Sequence, residues 1–314
     1  MAGIRILGLG SSRGERTVTN EMLAQAVDTS DSWIRSKTGI RSRYFAEKKT
    51  NADLAAEAAE TAVRRAGIPR EQIGFCLVCT FTADDDTPAT ACSVAARLGL
   101  SERILALDLN GACSGFIYGC RIAEGLLAAD LQKESMEKPY GLVIGSERIS
   151  PLMDMEDRGT CVLFGDGAGA AVVTWDETAE TAFYGGCIPD RQVLHCVRGS
   201  FIEMGGQEVY RFAVNKVPEA IEGVLHAAGR TREEIRWFVC HQANERIIDN
   251  AARRIGGDSS KFYKNLYTYG NTSAASIPIA LCQMKEENLL EAGDRIVCTG
   301  FGAGLTYGSM LITI

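Results

Sequence analysis

Cys113 is the residue of this 314-residue chain whose surroundings most clearly favour chemistry. It follows an apolar stretch, residues 104–109, and an Asn-Gly turn, and it precedes a run with helical spacing that extends through Leu127. A cysteine in the first turn of a buried helix faces free N–H groups and the positive end of the helix dipole, which favour the thiolate. We therefore predict a nucleophile. A small buried cysteine with only a packing role is the alternative that the residue type alone favours.

A histidine and an asparagine in the second half of the chain are candidate partners for this nucleophile. His241 directly follows an apolar stretch, so it is expected at a strand end that borders a cleft. Only two other histidines, His195 and His226, compete with it. Asn271 lies in a turn, where asparagine is more often structural than functional.

An internal repeat indicates how the chain positions these residues. Residues 66–73 (AGIPREQI) match residues 228–235 (AGRTREEI), an offset of 162 residues, and each copy lies between a helical pattern and an apolar stretch that ends in Val-Cys. Alternating strands and helices in two equivalent halves predict an α/β fold of two packed copies, with chemistry at the seam. An offset of 160 residues, close to that of the repeat, places the counterpart of Cys113 at position 273, two residues from Asn271, so we expect the side chains of Cys113 and Asn271 to face each other.

Composition excludes several classes of protein. With 46% hydrophobic and 23% charged residues the chain can bury a large core, and a net charge of −7 argues against a nucleic-acid-binding protein. Eleven scattered cysteines, an odd number, fit a reducing cytoplasm. No second pair completes a metal site with Cys76 and Cys79, so no metal is predicted. We expect neither a secretory leader nor a membrane span.

Five motifs, in order along nearly the whole chain, resemble those of β-ketoacyl-acyl-carrier-protein synthase III of the thiolase superfamily. They are residues 29–34 with 38–40, residues 111–115, residues 157–160 with 164–169, residues 241–244 and residues 269–273. Asn271 indicates the branch, because elongating synthases have a second histidine there and thiolases a second cysteine. The resemblance implies a layered αβαβα thiolase-like fold of two pseudo-symmetric βαβ-type halves: residues 1–174 with Cys113, and residues 175–314 with His241 and Asn271.

The resemblance also implies an activity, that of an initiating condensing enzyme of type II fatty acid synthesis. Cys113 would take an acyl group from acyl-CoA. Malonyl-acyl-carrier protein would then lose CO₂ and attack the acyl-enzyme, giving 3-oxoacyl-acyl-carrier protein. His241 and Asn271 would donate hydrogen bonds to the enolate oxygen, and the N–H groups of Cys113 and Ala303 to the tetrahedral oxyanion. No cofactor is implied, since acyl-CoA is a substrate.

Three groups of binding residues follow from the same resemblance. The implied CoA site consists of Trp33, Lys37, Arg158, Asn244 and Gln207. The implied carrier-protein surface consists of Gln242, Ala243, Asn244, Glu245 and Arg246, with Arg253 and Lys261 as candidate basic neighbours or merely a solvated charged face. The implied acyl pocket consists of Thr87, Phe164, Met204 and Phe301, with Thr87 closing the tunnel of a neighbouring subunit in a homodimer. Lys37 and Gln207 depart from the family's usual arginine and asparagine, and lysine lacks the planar fork of arginine.

Other functions stay open at this point. A specialised acyltransferase or condensing enzyme of secondary metabolism would share the fold and the nucleophile. A catalytically silent binding protein is disfavoured by the three intact candidate residues. A cysteine protease with a Cys/His/Asn set is disfavoured by the internal repeat.

Overall fold

The computed structural model describes residues 2–131 and 138–314 of the chain. The strands are β1 (Gly3–Arg13), β2 (Arg16–Thr19), β3 (Ser42–Phe45), β4 (Ile73–Cys79), β5 (Leu105–Leu109), β6 (Tyr140–Glu147), β7 (Gly167–Asp176), β8 (Ala182–Asp190), β9 (Leu194–Cys196), β10 (Ile202–Met204), β11 (Trp237–Cys240), β12 (Arg295–Gly302) and β13 (Gly304–Thr313). The α-helices are α1 (Asn20–Leu23), α2 (Asp31–Thr38), α3 (Asn51–Ala66), α4 (Thr90–Leu98), α5 (Gly115–Leu131), α6 (Gly206–Ala228), α7 (Glu245–Ile255), α8 (Leu266–Tyr269) and α9 (Ser276–Glu286). Within the two described ranges, no helix combines the length and apolar character needed to cross a bilayer.

The strands of the two halves follow the same order. In the first half the order is β5-β4-β6-β7-β1, with β4, β5 and β6 parallel and β7 antiparallel to both of its neighbours. In the second half it is β11-β12-β13-β8, and a parallel bridge from Phe238 to Phe262 continues beyond β11. One parallel pairing, Arg5 with Thr313, joins the two sets of strands.

Helices cover and separate these strands in layers. Helices α3 and α4 pack on the outer face of the first set, α5 and α9 lie between the two sets, and α6 and α7 cover the second. The predicted layered α/β fold is therefore confirmed. The predicted boundary between residues 174 and 175 falls inside β7, where Asp176 still pairs with Gly3 of β1.

The repeated sequence block forms the same local structure twice. Helices α3 and α6 each end at an alanine followed by a glycine with left-handed φ, Gly67 at 67° and Gly229 at 62°. Glycine adopts this conformation without a Cβ penalty, which makes it a common helix terminator. Single-turn 3₁₀ helices at Arg70–Gln72 and Arg232–Glu234 then lead into β4 and β11. The repeat therefore aligns the strand ends of both halves.

Candidate active site

Cys113 lies in a one-turn 3₁₀ helix, Ala112–Ser114, between the end of β5 and the start of α5. Gly302, at the end of β12, packs directly against this turn. A Cβ at position 302 would lie 2.8 Å from the backbone nitrogen of Cys113 and 3.0 Å from its Cβ. Since such contacts are too short for real atoms, only glycine lets a strand of the second half approach the nucleophile of the first half so closely.

The turn that contains Asn271 has the same construction as the turn that contains the nucleophile. Asn110 Oδ1 accepts a hydrogen bond from the N–H of Ala112 at 3.2 Å. Asn271 Oδ1 accepts one from the N–H of Ser273 at 2.9 Å. Ala112 and Ser273 both have positive φ, 45° and 48°. Asn271 is therefore the counterpart of Asn110 and not, as the sequence offset suggested, of Cys113.

Two cavities meet at Cys113, one of about 340 Å³ and one of about 760 Å³. The larger cavity is bordered by Cys113, His241 and Asn271 together, so the fold brings the three predicted catalytic side chains to one place. The smaller cavity has mostly apolar walls, which include Phe81, Phe164, Leu194 and Ile202. Ala303, the implied second oxyanion donor, borders this smaller cavity beside Cys113, and the role of its N–H stays a prediction.

Hydrogen bonds fix both the backbone and the ring of His241. Its N–H donates to the carbonyl of Thr299 on β12 at 2.7 Å. Its ring Nδ1 lies 2.7 Å from Oγ of Ser276, the first residue of α9, and the same Oγ accepts the N–H of Gln242 at 3.3 Å. Burial lowers the pKa of His241 to about 3, so the imidazole is neutral. No described residue is hydrogen-bonded to Nε2, which is therefore available to a ligand in the cavity.

Asn271 presents its amide in one orientation. The backbone N–H of Asn271 donates to the carbonyl of Leu163 at 2.9 Å, and its side-chain oxygen accepts from Ser273. Among the described residues nothing is bonded to its NH₂ group. Because the oxygen is bonded to the N–H of Ser273, the NH₂ group is the part of this amide without a partner, and it can donate hydrogen bonds to a ligand in the cavity.

The buried surroundings of Cys113 favour the thiol over the thiolate. Burial raises its pKa to about 12, which outweighs the lowering effect of the Ser273 hydroxyl, and the Glu147 carboxyl raises it further. The N-terminus of α5 opposes this shift, but a helix terminus contributes at most about 2 kcal/mol, equivalent to roughly 1.5 pH units. The raised pKa of this thiol runs against the thiolate predicted for the free protein.

Glu147 is a candidate that the sequence analysis did not identify. It ends β6, is completely buried, and accepts a hydrogen bond from Ser273 Oγ at 3.1 Å. Burial raises its pKa to about 8. Like His241, Glu147 is a polar residue at the end of an apolar strand, so the same sequence signal could have found it.

All implied CoA-binding residues border the larger cavity; they are Trp33, Lys37, Arg158, Gln207 and Asn244. The guanidinium of Arg158 lies over the ring of Trp33, with Cζ 4.9 Å from the ring centroid. Asn244 caps α7, since its Oδ1 accepts the N–H of Arg246 at 2.9 Å, and its Nδ2 donates to the carbonyl of Lys37 at 3.0 Å. One amide N–H of Asn244 is left for a ligand.

The prediction that Gln242 belongs to a carrier-protein surface is wrong. Its side chain is only 1% exposed. The amide NH₂ donates to the carbonyls of Cys240 and Tyr263 at 2.8 and 3.2 Å. The amide oxygen accepts from the N–H groups of Asn265 and Leu266 at 2.9 and 3.3 Å. With its donors and acceptor satisfied internally, Gln242 fixes the loop after β11 and has no contact to offer a partner.

The other residues of the implied carrier surface differ in accessibility. Arg246 and Arg253 are exposed on α7. Ala243 borders the larger cavity, and Glu245 is half-buried in an ion pair. Lys261 directs its Nζ to two backbone carbonyls at 3.0 and 2.7 Å, so a structural role accounts for its charge. The two arginines are therefore the accessible basic groups of this set.

The implied acyl pocket is only partly assembled within one chain. Phe164 borders both cavities. Met204 and Phe301 border the larger cavity and not the smaller one, and the Phe301 ring lies edge-on to His241 with centroids 5.3 Å apart. Thr87 is exposed and borders neither cavity. Met204, Phe301 and Thr87 are thus not walls of the smaller, apolar cavity of the single chain.

Two family models, two curated relatives and one solved structure that resemble this chain all belong to the same family. Residues 107–185 match the family model described as 3-oxoacyl-[acyl-carrier-protein] synthase III, and residues 225–314 match the model of its C-terminal part. A β-ketoacyl-[acyl-carrier-protein] synthase III of Natranaerobius thermophilus is 42% identical, covering 99% of each chain. One of Clostridium perfringens is 40% identical over 100% of both. The crystal structure of 3-oxoacyl-[acyl-carrier-protein] synthase III from Aquifex aeolicus is 38% identical with a TM-score of 0.93, covering 99% of this chain and 100% of that one.

Proposed function

The chain belongs to the 3-oxoacyl-[acyl-carrier-protein] synthase III family, and we propose that it loads an acyl primer from acyl-CoA onto Cys113 and condenses it with malonyl-acyl-carrier protein. The products are 3-oxoacyl-acyl-carrier protein, CO₂ and CoA. The reaction needs no cofactor, because the thioester and the decarboxylation supply the driving force. The chain therefore acts as an acyltransferase that starts fatty acid synthesis.

The observation that best supports this function is the position of Cys113 at the junction of two cavities. The smaller cavity is mostly apolar and suits the acyl chain. The larger one extends from Cys113 to Trp33 and Arg158 and suits the long pantetheine arm and the nucleotide. A thioester lying across both cavities would place its carbonyl carbon at the sulfur.

Condensation needs hydrogen-bond donors for an enolate that carries negative charge. His241 Nε2–H and the Asn271 NH₂ group are neutral donors that border the cavity of Cys113. Donors fixed in a site without bulk water stabilise such an oxyanion by about 3–4 kcal/mol each. A protonated imidazole would also attract the malonyl carboxylate and hinder its loss, so the lowered pKa of His241 suits decarboxylation.

Binding of the two substrates involves separate charged groups in this proposal. The adenine ring of CoA would stack against Trp33 and Arg158, and Lys37 would lie near the phosphates. Arg246 and Arg253, on the exposed side of α7, would contact an acidic carrier protein. The net charge of −7 makes such a local basic surface necessary for binding a negatively charged partner.

We also propose that the protein acts in the cytoplasm.

We further propose that the protein is a homodimer whose two copies pair through β5. Within the described residues β5 is the outer strand of its set, and Leu105 on it is 47% exposed. An apolar strand with a free edge is a site for pairing with a second copy. Asp108 of β5 binds the N–H of Thr90 at 2.7 Å, so the loop that contains Thr87 lies beside this edge. Leu105→Lys should give a monomer in sedimentation analysis; a dimer of unchanged stability would contradict pairing through β5.

Acylation and condensation can be tested in sequence. The protein is incubated with acetyl-, isobutyryl- or octanoyl-CoA, and the acyl adduct is read by intact mass. Malonyl-acyl-carrier protein is then added, and CO₂ and the 3-oxoacyl product are measured. Cys113→Ala should give no adduct, whereas Cys187→Ala, which removes an exposed thiol, should behave as the unmodified protein. An adduct that is discharged by amines or alcohols but not by malonyl-acyl-carrier protein would support a specialised acyltransferase.

A further inference from the structure

Two backbone N–H groups beside the nucleophile have no acceptor in the described parts of the chain. They belong to Cys113 and Ala303, which both border the smaller cavity, and neither N–H donates to another residue. Cys113 lies in the turn before α5, and Ala303 lies between β12 and β13, so the two donors come from different halves of the chain. Two such donors suit the oxygen of a thioester under attack if their relative position is fixed.

The side chain of Thr306, on β13, joins the two segments that contain these N–H groups. Its Oγ1 lies 3.1 Å from Oγ of Ser114, the residue after Cys113, and 3.1 Å from the carbonyl oxygen of Ala303. Thr306 donates in both contacts, so its single proton is shared in a three-centre hydrogen bond. Ser114 is completely buried, and within residues 2–131 and 138–314 its hydroxyl has no other hydrogen bond.

The hairpin of β12 and β13 directs the Thr306 hydroxyl toward these two segments. Gly302, at the end of β12, is paired with Thr306, so Ala303 lies at the tip of the hairpin. Gly304 follows with a φ of 136°, and a Cβ there would lie 2.8 Å from Cγ2 of Thr306. The methyl group of Thr306 thus packs against Gly304, which leaves the hydroxyl branch on the side of Ser114 and Ala303.

The hydrogen bonds of Thr306 fix an orientation that packing alone leaves free. Gly302 packs against the backbone of Cys113, but van der Waals contact has little directional preference. The β-ladder holds the peptide unit before Ala303, and the bond from Thr306 to the carbonyl of Ala303 holds the peptide unit after it. With both planar units fixed, the N–H of Ala303 has one direction. A threonine that only satisfied a carbonyl at the hairpin tip would need no contact with Ser114.

We propose that Thr306 is a positioning residue that fixes the two oxyanion donors relative to each other, a role that rests on the proposed function for its acyl donor. As Sγ of Cys113 bonds to the acyl carbon, the carbonyl π electrons move to oxygen, and the N–H groups of Cys113 and Ala303 donate to that oxyanion. The carbonyl re-forms as the bond to the CoA sulfur breaks, and the thiol proton of Cys113 ends on the CoA thiol. Thr306 borders neither cavity and acts through Ser114 and Ala303.

The test compares Thr306→Val with Thr306→Ser. Valine keeps the branched shape and removes the hydroxyl, whereas serine keeps the hydroxyl. The control is Thr313→Val, on the same strand: Oγ1 of Thr313 accepts from the N–H of Glu180 at 2.9 Å and donates to its carbonyl at 3.3 Å. This control reports the loss of a bonded threonine hydroxyl from β13 without a contact to the nucleophile segment.

Three reagents that modify Cys113 distinguish oxyanion stabilisation from general reactivity of the sulfur. Acetyl-CoA and p-nitrophenyl acetate both form an oxyanion at their carbonyl, but only the first needs the CoA site. Iodoacetamide reacts at a saturated carbon and forms no oxyanion. Modification of Cys113 is followed by peptide mapping, because Cys92 and Cys187 are exposed thiols.

Thr306→Val should lower both acylation rates by about 10- to 100-fold, less than the roughly 100- to 1000-fold loss expected for a missing oxyanion donor. Its KM for acetyl-CoA and its alkylation rate should stay within a few fold of the unmodified protein. Thr306→Ser and Thr313→Val should stay within a few fold in all three reactions. Equal losses with all three reagents would overturn the proposal in favour of a general structural role, and so would unchanged acylation in Thr306→Val or a Thr306→Ser protein as slow as Thr306→Val.

Ser114→Ala tests the connection to the nucleophile segment. If Thr306 acts through Ser114, the double variant should acylate no more slowly than Thr306→Val alone. Losses that multiply would overturn the connection between the two segments. Acylation of the unmodified protein by p-nitrophenyl acetate but by no acyl-CoA would contradict the proposed function, and the ester would then still decide the role of Thr306.

Discussion

The hydroxyl of Ser276 lies 2.7 Å from Nδ1 of His241, and this contact determines which ring nitrogen bears the proton. Ser276 Oγ already accepts the N–H of Gln242, so its own proton is free to be donated. Among the described residues, Nδ1 is the acceptor within hydrogen-bonding distance of that hydroxyl. A donating Ser276 makes Nδ1 an acceptor and places the proton of the neutral ring on Nε2, which is available to the substrate.

Ser276→Ala should therefore impair condensation more than acylation. Without the hydroxyl the imidazole can adopt either tautomer, and the Nδ1–H form offers no donor to the enolate. We expect the condensation rate to fall by about 10- to 100-fold, the scale of a weakened oxyanion donor, with acylation by acyl-CoA little changed. Nitrogen chemical shifts of His241 would report the tautomer directly.

Ser309→Ala is the matched control, because Ser309 is also a completely buried serine with a hydrogen-bonded hydroxyl. It should lower stability without changing the tautomer of His241 or the ratio of condensation to acylation. A Ser276→Ala protein with the ordinary tautomer and ordinary condensation would show that another contact sets the proton position.

Asn271→Asp tests the orientation of the amide. Aspartate keeps an oxygen that can accept from the N–H of Ser273, so the turn should persist. It replaces the NH₂ donor by a second oxygen, which repels an enolate. We expect condensation to fall by more than about 100-fold while the acyl adduct on Cys113 still forms. Condensation at the rate of the unmodified protein would falsify the donor role of Asn271.

The fold and the three predicted catalytic side chains were accessible from sequence for physical reasons. The repeat around Gly67 and Gly229 encodes helix ends, whose conformation depends on a few adjacent residues. Cys113 and His241 follow apolar stretches, so their positions at strand ends are also local properties. What the sequence could not show was the environment of these side chains, since burial depends on residues far away in the chain.

Two predictions that the structure contradicts and one omission illustrate this limit. The thiolate of Cys113 was predicted from the nearby helix N-terminus, but burial by the whole fold dominates its pKa. Gln242 was assigned to a surface because the family resemblance implied it, yet the loop that contains Asn265 and Leu266 encloses it. The hydrogen bond between Glu147 and Ser273 spans 126 positions of the chain, and no local pattern connects those two residues.

Gly302→Ala tests the close approach of β12 to the nucleophile. A Cβ 2.8 Å from the Cys113 nitrogen forces the turn or the strand to move, and overpacking of this kind costs about 1–3 kcal/mol. Acylation should fall sharply, because the sulfur and the backbone N–H of Cys113 shift relative to the cavity.

Gly125→Ala is the control. A Cβ at this position of α5 would meet open space, so alanine there should stabilise the helix by about 0.5–1 kcal/mol and leave acylation intact. Equal activities of the two variants would contradict the packing argument.

Arg158→Ala and Arg253→Ala should separate the two substrates. Arg158 lies over Trp33 at the larger cavity, so its loss should raise KM for acyl-CoA several-fold and leave KM for malonyl-acyl-carrier protein unchanged. Arg253 is exposed on α7, and its loss should do the reverse, with an effect that shrinks at high salt. Steady-state kinetics at two ionic strengths measures both. If each variant raised both KM values equally, the assignment of the two surfaces would be wrong.

Glu147 makes the free energy of unfolding depend on pH. Its pKa is about 8 in the folded protein and about 4.5 when exposed, so the folded state binds this proton more tightly than the unfolded state. The resulting stabilisation is fully present below pH 4.5 and is lost as pH rises through about 8. Its total is at most on the order of 4–5 kcal/mol.

Glutamine does not titrate, so the difference in free energy of unfolding between Glu147→Gln and the unmodified protein isolates this effect. Urea unfolding at pH 5, 7 and 9 should show that difference moving in favour of Glu147→Gln as the pH rises, while groups common to both proteins cancel. The change should be largest between pH 5 and pH 8, where the unfolded state has already released its proton and the folded state has not. A difference that stays constant from pH 5 to pH 9 would mean that Glu147 is ionised in the folded protein throughout.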